Sequence, residues 1–345
     1  MRAPFTLPLL LCVACNGPGA SNTAPTNNRY VLPIGPRFQW EENNGYCGET
    51  SLISAGLYYG QYGSQYDARA YASDGADQSR PTSQLLLGVN EDEAATAMHL
   101  EVTRWHGDTP EDFLAWVKQN FLLGYPVIIG VFNNENRLYG ETAADAGDAE
   151  YDHIVPVTGI GSDHPISDPS YHADDTLTFS DNGLVGDDTP SGSTYFNTFA
   201  FDAFLMTRAQ ANAADAPYYA LSKETANYGI AVTGVADSDG ATLPVSVETR
   251  MNYESPEIED GGTERPQATP LELTVTVSNL APGQDYTLYR YDTIASVPDG
   301  QFNAHAAAAE MSWPVHVETG STWSVTETVL SSDVAVYRAV PDSAD

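Results

Sequence analysis

The chain has 345 residues and a formal net charge of −33, from 47 acidic against 14 basic side chains. Such a balance repels phosphate, which excludes nucleic acid and an anionic membrane surface as natural targets, and a spread of acids along the chain reads most simply as solubility. With 42% hydrophobic residues, this length supports a packed core and two domains of ordinary size.

Arg2 and the apolar run from Phe5 to Ala14 form a short targeting signal, too short to span a bilayer. The segment Cys12-Val13-Ala14-Cys15-Asn16 resembles the lipobox of bacterial lipoproteins, with Cys12 where leucine is usual. Residues 1–15 therefore read as a signal peptide, either of lipoprotein type with lipid on Cys15 or removed by ordinary cleavage nearby. Lipid would anchor the protein to a membrane; either route places it outside the cell or at the envelope. Residues 16–29, rich in Gly, Ser, Thr, Pro and Asn, read as a flexible tether. Of the three cysteines only Cys47 then remains as a free thiol, and an exported thiol with no disulfide partner is notable.

From residue 30 to 219 helical and strand signals alternate, which implies an α+β domain. Gly48 to Gly60 is apolar and small with few charges, the pattern of a buried helix. Thr109 can cap a second helix, with Pro110 in its first turn, acids at its positive end and Gly124 to end it. Pro126 to Phe132, Ile154 to Ile160 and Thr176 to Ser180 read as core strands. A linker is expected over 209–227. From 228 to 345 the period becomes two, in Val245 to Thr249, Leu271 to Val277, Tyr286 to Tyr291 and Val334 to Tyr337, which implies an antiparallel β-sandwich. The segment from Leu280 to Leu288, with Pro282-Gly283 inside it, resembles a strand-turn-strand hairpin of fibronectin type III-like modules.

Chemistry concentrates around Cys47. Gly45 and Gly48 flank it and leave room for a substrate backbone, and the helix behind it offers a positive dipole end that favours thiolate. His153, after Asp152 and at the head of an apolar strand, is placed to serve as proton acceptor. Asp181 or Asn182, at the end of the next strand, can hold the imidazole's tautomer. Gln39, upstream of Cys47, can join the Cys47 N–H in stabilising an oxyanion. Each residue also has a plain structural reading: a helix-start packing residue, a satisfied histidine, a turn and a surface glutamine.

The order of these residues resembles the papain-like cysteine peptidases, and within them the branch of bacterial double-glycine leader peptidases. The likeness rests on Cys47-Gly48-Glu49-Thr50-Ser51 leading to Tyr58-Tyr59-Gly60, on Gly124-Tyr125-Pro126-Val127-Ile128, on Asp152-His153 and on Asp181. It covers roughly residues 38–183. It implies a thioester acyl-enzyme, Asp181 as third member with Asn182 as alternative, a peptide or protein substrate and no cofactor. The transporter parts of that branch have no counterpart here. Glu49 departs from the usual proline or small residue, and the longer Gln39 to Cys47 spacing leaves Asn43 or Asn44 as alternative oxyanion donors. The competing expectations are a non-catalytic binding protein with the same shell, and an acyltransferase using the same triad. His164, Asp168, His172, Asp174 and Asp175 are metal-compatible, but such clustering is common in so acidic a chain, and no metal is expected. Asp237-Ser238-Asp239-Gly240 reads as a turn in place of a calcium loop.

Overall fold

The computed structural model describes residues 28–342 apart from 36, 166, 185–195, 250–264 and 266. The expected signal peptide, Cys15 and the tether up to residue 27 lie outside the described residues; Asn28 and Arg29 already belong to a strand. The elements of the first part are β1 (Asn28–Val31), α1 (Cys47–Tyr58), β2 (Gln61–Tyr62), α2 (Gln65–Ala72), α3 (Glu91–Ala97), β3 (Leu100–Arg104), α4 (Pro110–Leu122), β4 (Val127–Asn133), α5 (Glu135–Tyr139), β5 (His153–Ser162) and β6 (Thr176–Ser180). There follow β7 (Phe196–Ala200), α6 (Phe201–Phe204), β8 (Leu205–Met206), α7 (Arg208–Ala211), β9 (Tyr219–Ser222) and β10 (Gly229–Val235). The last six strands are β11 (Val245–Thr249), β12 (Pro270–Ser278), β13 (Asp285–Tyr291), β14 (Met311–His316), β15 (Thr322–Leu330) and β16 (Ala335–Pro341). The fold is mixed α+β with mostly antiparallel sheets.

A nine-stranded sheet runs β3-β10-β4-β5-β6-β7, with β1 on β5 and β9 on β4; β8 pairs β9 in parallel. Its centre is β5, buried at every position. Helix α1 packs on β5 and on β11. Every residue from Gly48 to Leu57 is buried, which explains why the helix is apolar or small all round instead of amphipathic. Helix α4 starts as its sequence dictates: Thr109 Oγ1 accepts from the Asp112 N–H at 3.2 Å, Pro110 opens the first turn, and Gly124 follows the end with φ +86°.

The C-terminal strands form two further sheets, β11-β12-β15 and β14-β13-β16-β2. Their inward residues, among them Val247, Leu273, Val275, Leu288 and Tyr337, share one apolar cluster with Leu52, Ile53 and Leu57 of α1. The core therefore continues from helix α1 into the C-terminal sheets.

Three expectations are corrected. The C-terminal module does not begin at 228, because β10 pairs with β3 and β4 inside the first sheet; the change of sheet comes after Val235. The expected linker at 209–227 is part of the first body. Asn134 Nδ2 donates to the carbonyls of Ala213 (2.9 Å), Ala216 (3.3 Å) and Pro217 (3.1 Å), and Tyr219 is buried in β9. The segment at 280–288 is not a hairpin either. It carries the chain from β12 in one sheet to β13 in the other, and the Tyr286 hydroxyl accepts the Ala281 N–H at 2.8 Å to close the corner.

Candidate active site

The approach to Cys47 is a run of left-handed residues: Asn43 (φ 51°), Asn44 (φ 69°) and Gly45 (φ 81°). Asparagine and glycine tolerate this region better than any other residues, which is why Asn-Asn-Gly stands here. Arg69 of α2 holds the run. Its Nη1 donates to the Asn43 carbonyl at 2.9 Å, its Nη2 to the Gly45 carbonyl, and its Nε to Glu49 Oε1 at 2.6 Å. The guanidinium lies 3.5 Å from the centroid of the Tyr46 ring, which stacks on Trp40 with centroids 4.7 Å apart. Both ends of the Arg69–Glu49 pair are buried, and Glu49 also accepts the Leu85 N–H at 3.0 Å. Glu49 thus has a structural role. Cys47 opens α1, where its own N–H is one of the orphan donors of a helix start.

His153 opens β5 and is 2% exposed. Its Nε2 donates to the main-chain carbonyl of Asp181 at 2.9 Å, which leaves Nδ1 as the basic nitrogen. The third member was expected to act through a carboxylate, and the structure assigns the contact to the backbone instead. The Asp181 carboxylate accepts from the Gly183 N–H (3.0 Å), Asn197 Nδ2 (3.3 Å) and the Tyr219 hydroxyl (3.2 Å). Tyr219 also stacks on the His153 ring, with centroids 6.0 Å apart. Upstream, Arg208 grips Asp152 Oδ2 at 2.5 Å, Asp152 Oδ1 at 2.9 Å and the Ala146 carbonyl at 2.6 Å. The chain just before His153 is fixed in this way.

Asn182, in the left-handed region at φ 56°, bridges the two elements that bear Cys47 and His153. Its Nδ2 lies 3.3 Å from the Cys47 carbonyl, 3.0 Å from the Ile154 carbonyl and 3.1 Å from Ser51 Oγ. Ser51 makes the same bridge, donating to the Cys47 (2.8 Å) and Ile154 (3.1 Å) carbonyls. Gln39 is buried. Its N–H donates to the Asn182 carbonyl at 2.9 Å, and its side-chain oxygen faces Gly45 with no hydrogen-bond partner. Gln65 fixes this segment, accepting from the Trp40 N–H (2.8 Å) and Thr50 Oγ1 (2.7 Å) and donating to the Phe38 carbonyl (2.9 Å). The Asn43 amide is turned to the Tyr46 hydroxyl at 3.4 Å and Asn44 is exposed, so Gln39 is the better placed of the three toward the loop that holds Cys47.

The electrostatics differ from the expected thiolate–imidazolium pair. Cys47 keeps some surface exposure, yet burial pushes its thiol up to about 12, with Glu49 adding to the rise. N–H donation from Ile154 and Gly48, and the charge of Arg69, offset this only in part. Burial likewise lowers His153 to about 4, against the raising effect of its bond to Asp181. Each group is therefore neutral at rest, one as thiol and the other as imidazole: desolvation outweighs the helix dipole at Cys47 and the Asp181 bond at His153.

Arg69, Gln65, Ser51, Arg208 and Tyr219 were not singled out from sequence. Only the presence of a basic residue in an alanine-rich helical stretch marks Arg69, because its partners lie far apart in the chain. No family model, curated protein or solved structure matches this chain.

Proposed function

We propose that the chain is an exported papain-like cysteine peptidase with a C-terminal β-sandwich, cleaving peptide bonds through a thioester at Cys47. The carrying observation is the junction at β5. His153 is locked as the Nε2–H tautomer by the Asp181 carbonyl, while the N–H of the next residue, Ile154, donates to the Cys47 sulfur. A helix-start cysteine, a strand-start histidine and a polar bridge between them support the papain-like reading, and the Tyr286 corner between two sheets supports the sandwich.

From a neutral pair, His153 Nδ1 takes the thiol proton as sulfur attacks the carbonyl carbon. The resulting imidazolium gives that proton to the leaving amine. The Cys47 N–H, with Gln39 Nε2, stabilises the oxyanion. Water, deprotonated by the same Nδ1, then hydrolyses the thioester and regenerates the thiol. The elevated thiol favours one second reading, a non-catalytic binding protein that keeps the shell. Labelling with an epoxide or iodoacetamide-type probe, followed by mapping and by peptide turnover of wild type and Cys47→Ala, separates the two. We expect modification at Cys47 and no turnover by a folded Cys47→Ala protein. Undiminished turnover by that variant would falsify the assignment, and a folded wild type that neither labels nor turns over would leave the binding reading standing. Transfer to added amines in place of water would mark an acyltransferase.

A further inference from the structure

The loop between β5 and β6 carries a cluster for which the peptidase reading has no use. His164, Asp174 and Asp175 each offer one ligand atom, and these lie within 4.8 Å of one another. His164 Nε2 is 3.2 Å from Asp174 Oδ1. Two ligands of a single ion, each bonded at about 2.0–2.2 Å, stand roughly that far apart. Abundant acids alone would be no reason to propose a site, but Asp175 adds an independent one. It is fully buried; its Oδ2 binds Lys118 Nζ at 2.7 Å, and its Oδ1 is buried with no hydrogen-bond partner among the described residues. A buried carboxylate oxygen without a donor is costly, and a cation is the direct way to satisfy it.

The surroundings support such an ion. The His172 ring stacks on His164 with centroids 3.5 Å apart and planes 17° from parallel. His172 Nε2 is held by Asp168 Oδ2 at 3.0 Å, Asp168 Oδ1 accepts the Ser170 N–H at 2.9 Å, and Lys118 closes the loop by donating to the Ser170 carbonyl at 3.1 Å. The cluster sets three carboxylates, Asp168, Asp174 and Asp175, around one lysine, Lys118, an acidic surplus that a cation would offset.

We propose that His164, Asp174 and Asp175 bind a divalent first-row cation of the zinc class, with His172 and Asp168 holding the plane of His164. One imidazole with two carboxylates suits a borderline ion better than calcium. The site sits at the far end of β5 from His153, roughly 30 Å along the strand at its usual rise. Its part is to fix the entry to β6, whose other end delivers Asp181.

The test uses the full chain carrying Cys47→Ala, so that the thiol does not compete, titrated with Zn²⁺, Co²⁺ and Ca²⁺ by calorimetry, by visible absorption for Co²⁺ and by thermal midpoint. The expected result is one Zn²⁺ per chain, intensified Co²⁺ absorption and a raised midpoint. His164 and Asp174 are exposed enough for substitution without loss of fold, at 38% and 66%. His164→Ala and Asp174→Ala should each weaken Zn²⁺ binding at least tenfold and abolish the rise in midpoint. Absence of saturable Zn²⁺ binding, wild-type affinity retained by either variant, or preference for Ca²⁺ over Zn²⁺ would each overturn the proposal and leave the cluster as ion pairs only.

Discussion

The two ends of helix α1 are held by opposite means. At its start, Arg69, Glu49 and the left-handed run from Asn43 to Gly45 form a buried ionic frame around Cys47. At its end, the chain turns at Gly60 into β2, which pairs with β16, where Tyr62 stands opposite Ala335 and Gln61 opposite Val336. Gln61 Oε1 receives Arg338 Nη2 at 3.0 Å, the Gly60 carbonyl receives the Tyr337 N–H at 2.8 Å, and the surrounding packing is apolar. Ionic contacts are directional and fix atoms in place, whereas backbone pairing and apolar burial supply stability with less positional precision. The start of the helix is thus built for geometry and its end for attachment.

Arg69→Met is expected to break this division most severely. It leaves Glu49 buried without its partner and should cost about 3–5 kcal/mol of stability, with loss of turnover in whatever remains folded. Denaturant midpoints together with active-site labelling will read both effects. A variant equal to wild type in both would remove the frame from the account. Next in size, Gln39→Ala should lower kcat by about 10²–10³, equivalent to about 2.7–4 kcal/mol, if its amide donates to the oxyanion. Its midpoint should hardly move. A large fall in stability with kcat preserved would make Gln39 a packing residue.

Acid sensitivity sharpens the contrast further. His153 is neutral in the folded protein down to about 4 but titrates near the ordinary imidazole value of 6.5 when unfolded. In that window the unfolded chain binds the extra proton. Stability should therefore fall as pH drops from about 6.5 to about 4, by about 3 kcal/mol from this group, and no further below that. Comparing the pH dependence of unfolding for wild type and His153→Gln isolates the contribution; parallel curves would show that His153 titrates equally in both states. The smallest expected effect lies at the other end of the helix. A Cβ at Gly60 would stand 2.7 Å from Val245 Cβ, in a residue with φ +73°. Gly60→Ala should cost about 1–3 kcal/mol while the kcat of folded molecules stays unchanged. A drop in kcat would mean that attachment and geometry are not separable.

What was legible in the sequence was local. The cap at Thr109, the turn at Gly124 and the apolar runs of β4, β5 and β6 announce themselves within a few residues, and so do a cysteine at a helix start and a histidine at a strand start. What was hidden depended on distant partners. Gly229 to Val235 reads as a strand wherever it stands, and only its pairing with Leu100 to Arg104 and Val127 to Ile129 assigns it to the first sheet. The turn at Pro282-Gly283 looks the same inside a hairpin and between sheets. Asp181 shows the same limit at the site: its side chain suggested a contact with His153, and its carbonyl makes that contact. The helix dipole at Cys47 was also legible, but the burial that outweighs it comes from contacts across the whole domain.

The pairing of β2 with β16 also has a kinetic meaning. Gln61 and Tyr62 lie just behind α1, yet their ladder partners, Val336 and Ala335, come from the last strand of the described chain. Contacts this distant in sequence close slowly, because the intervening chain must be ordered before the bonds reward it. During synthesis at roughly 5–20 residues per second, β5, on which α1 packs, is made well before β16, the partner of β2. Attachment of the far end of α1 is thereby the late event, whereas the residues that frame Cys47, all between Gln39 and Asn182, can assemble before it.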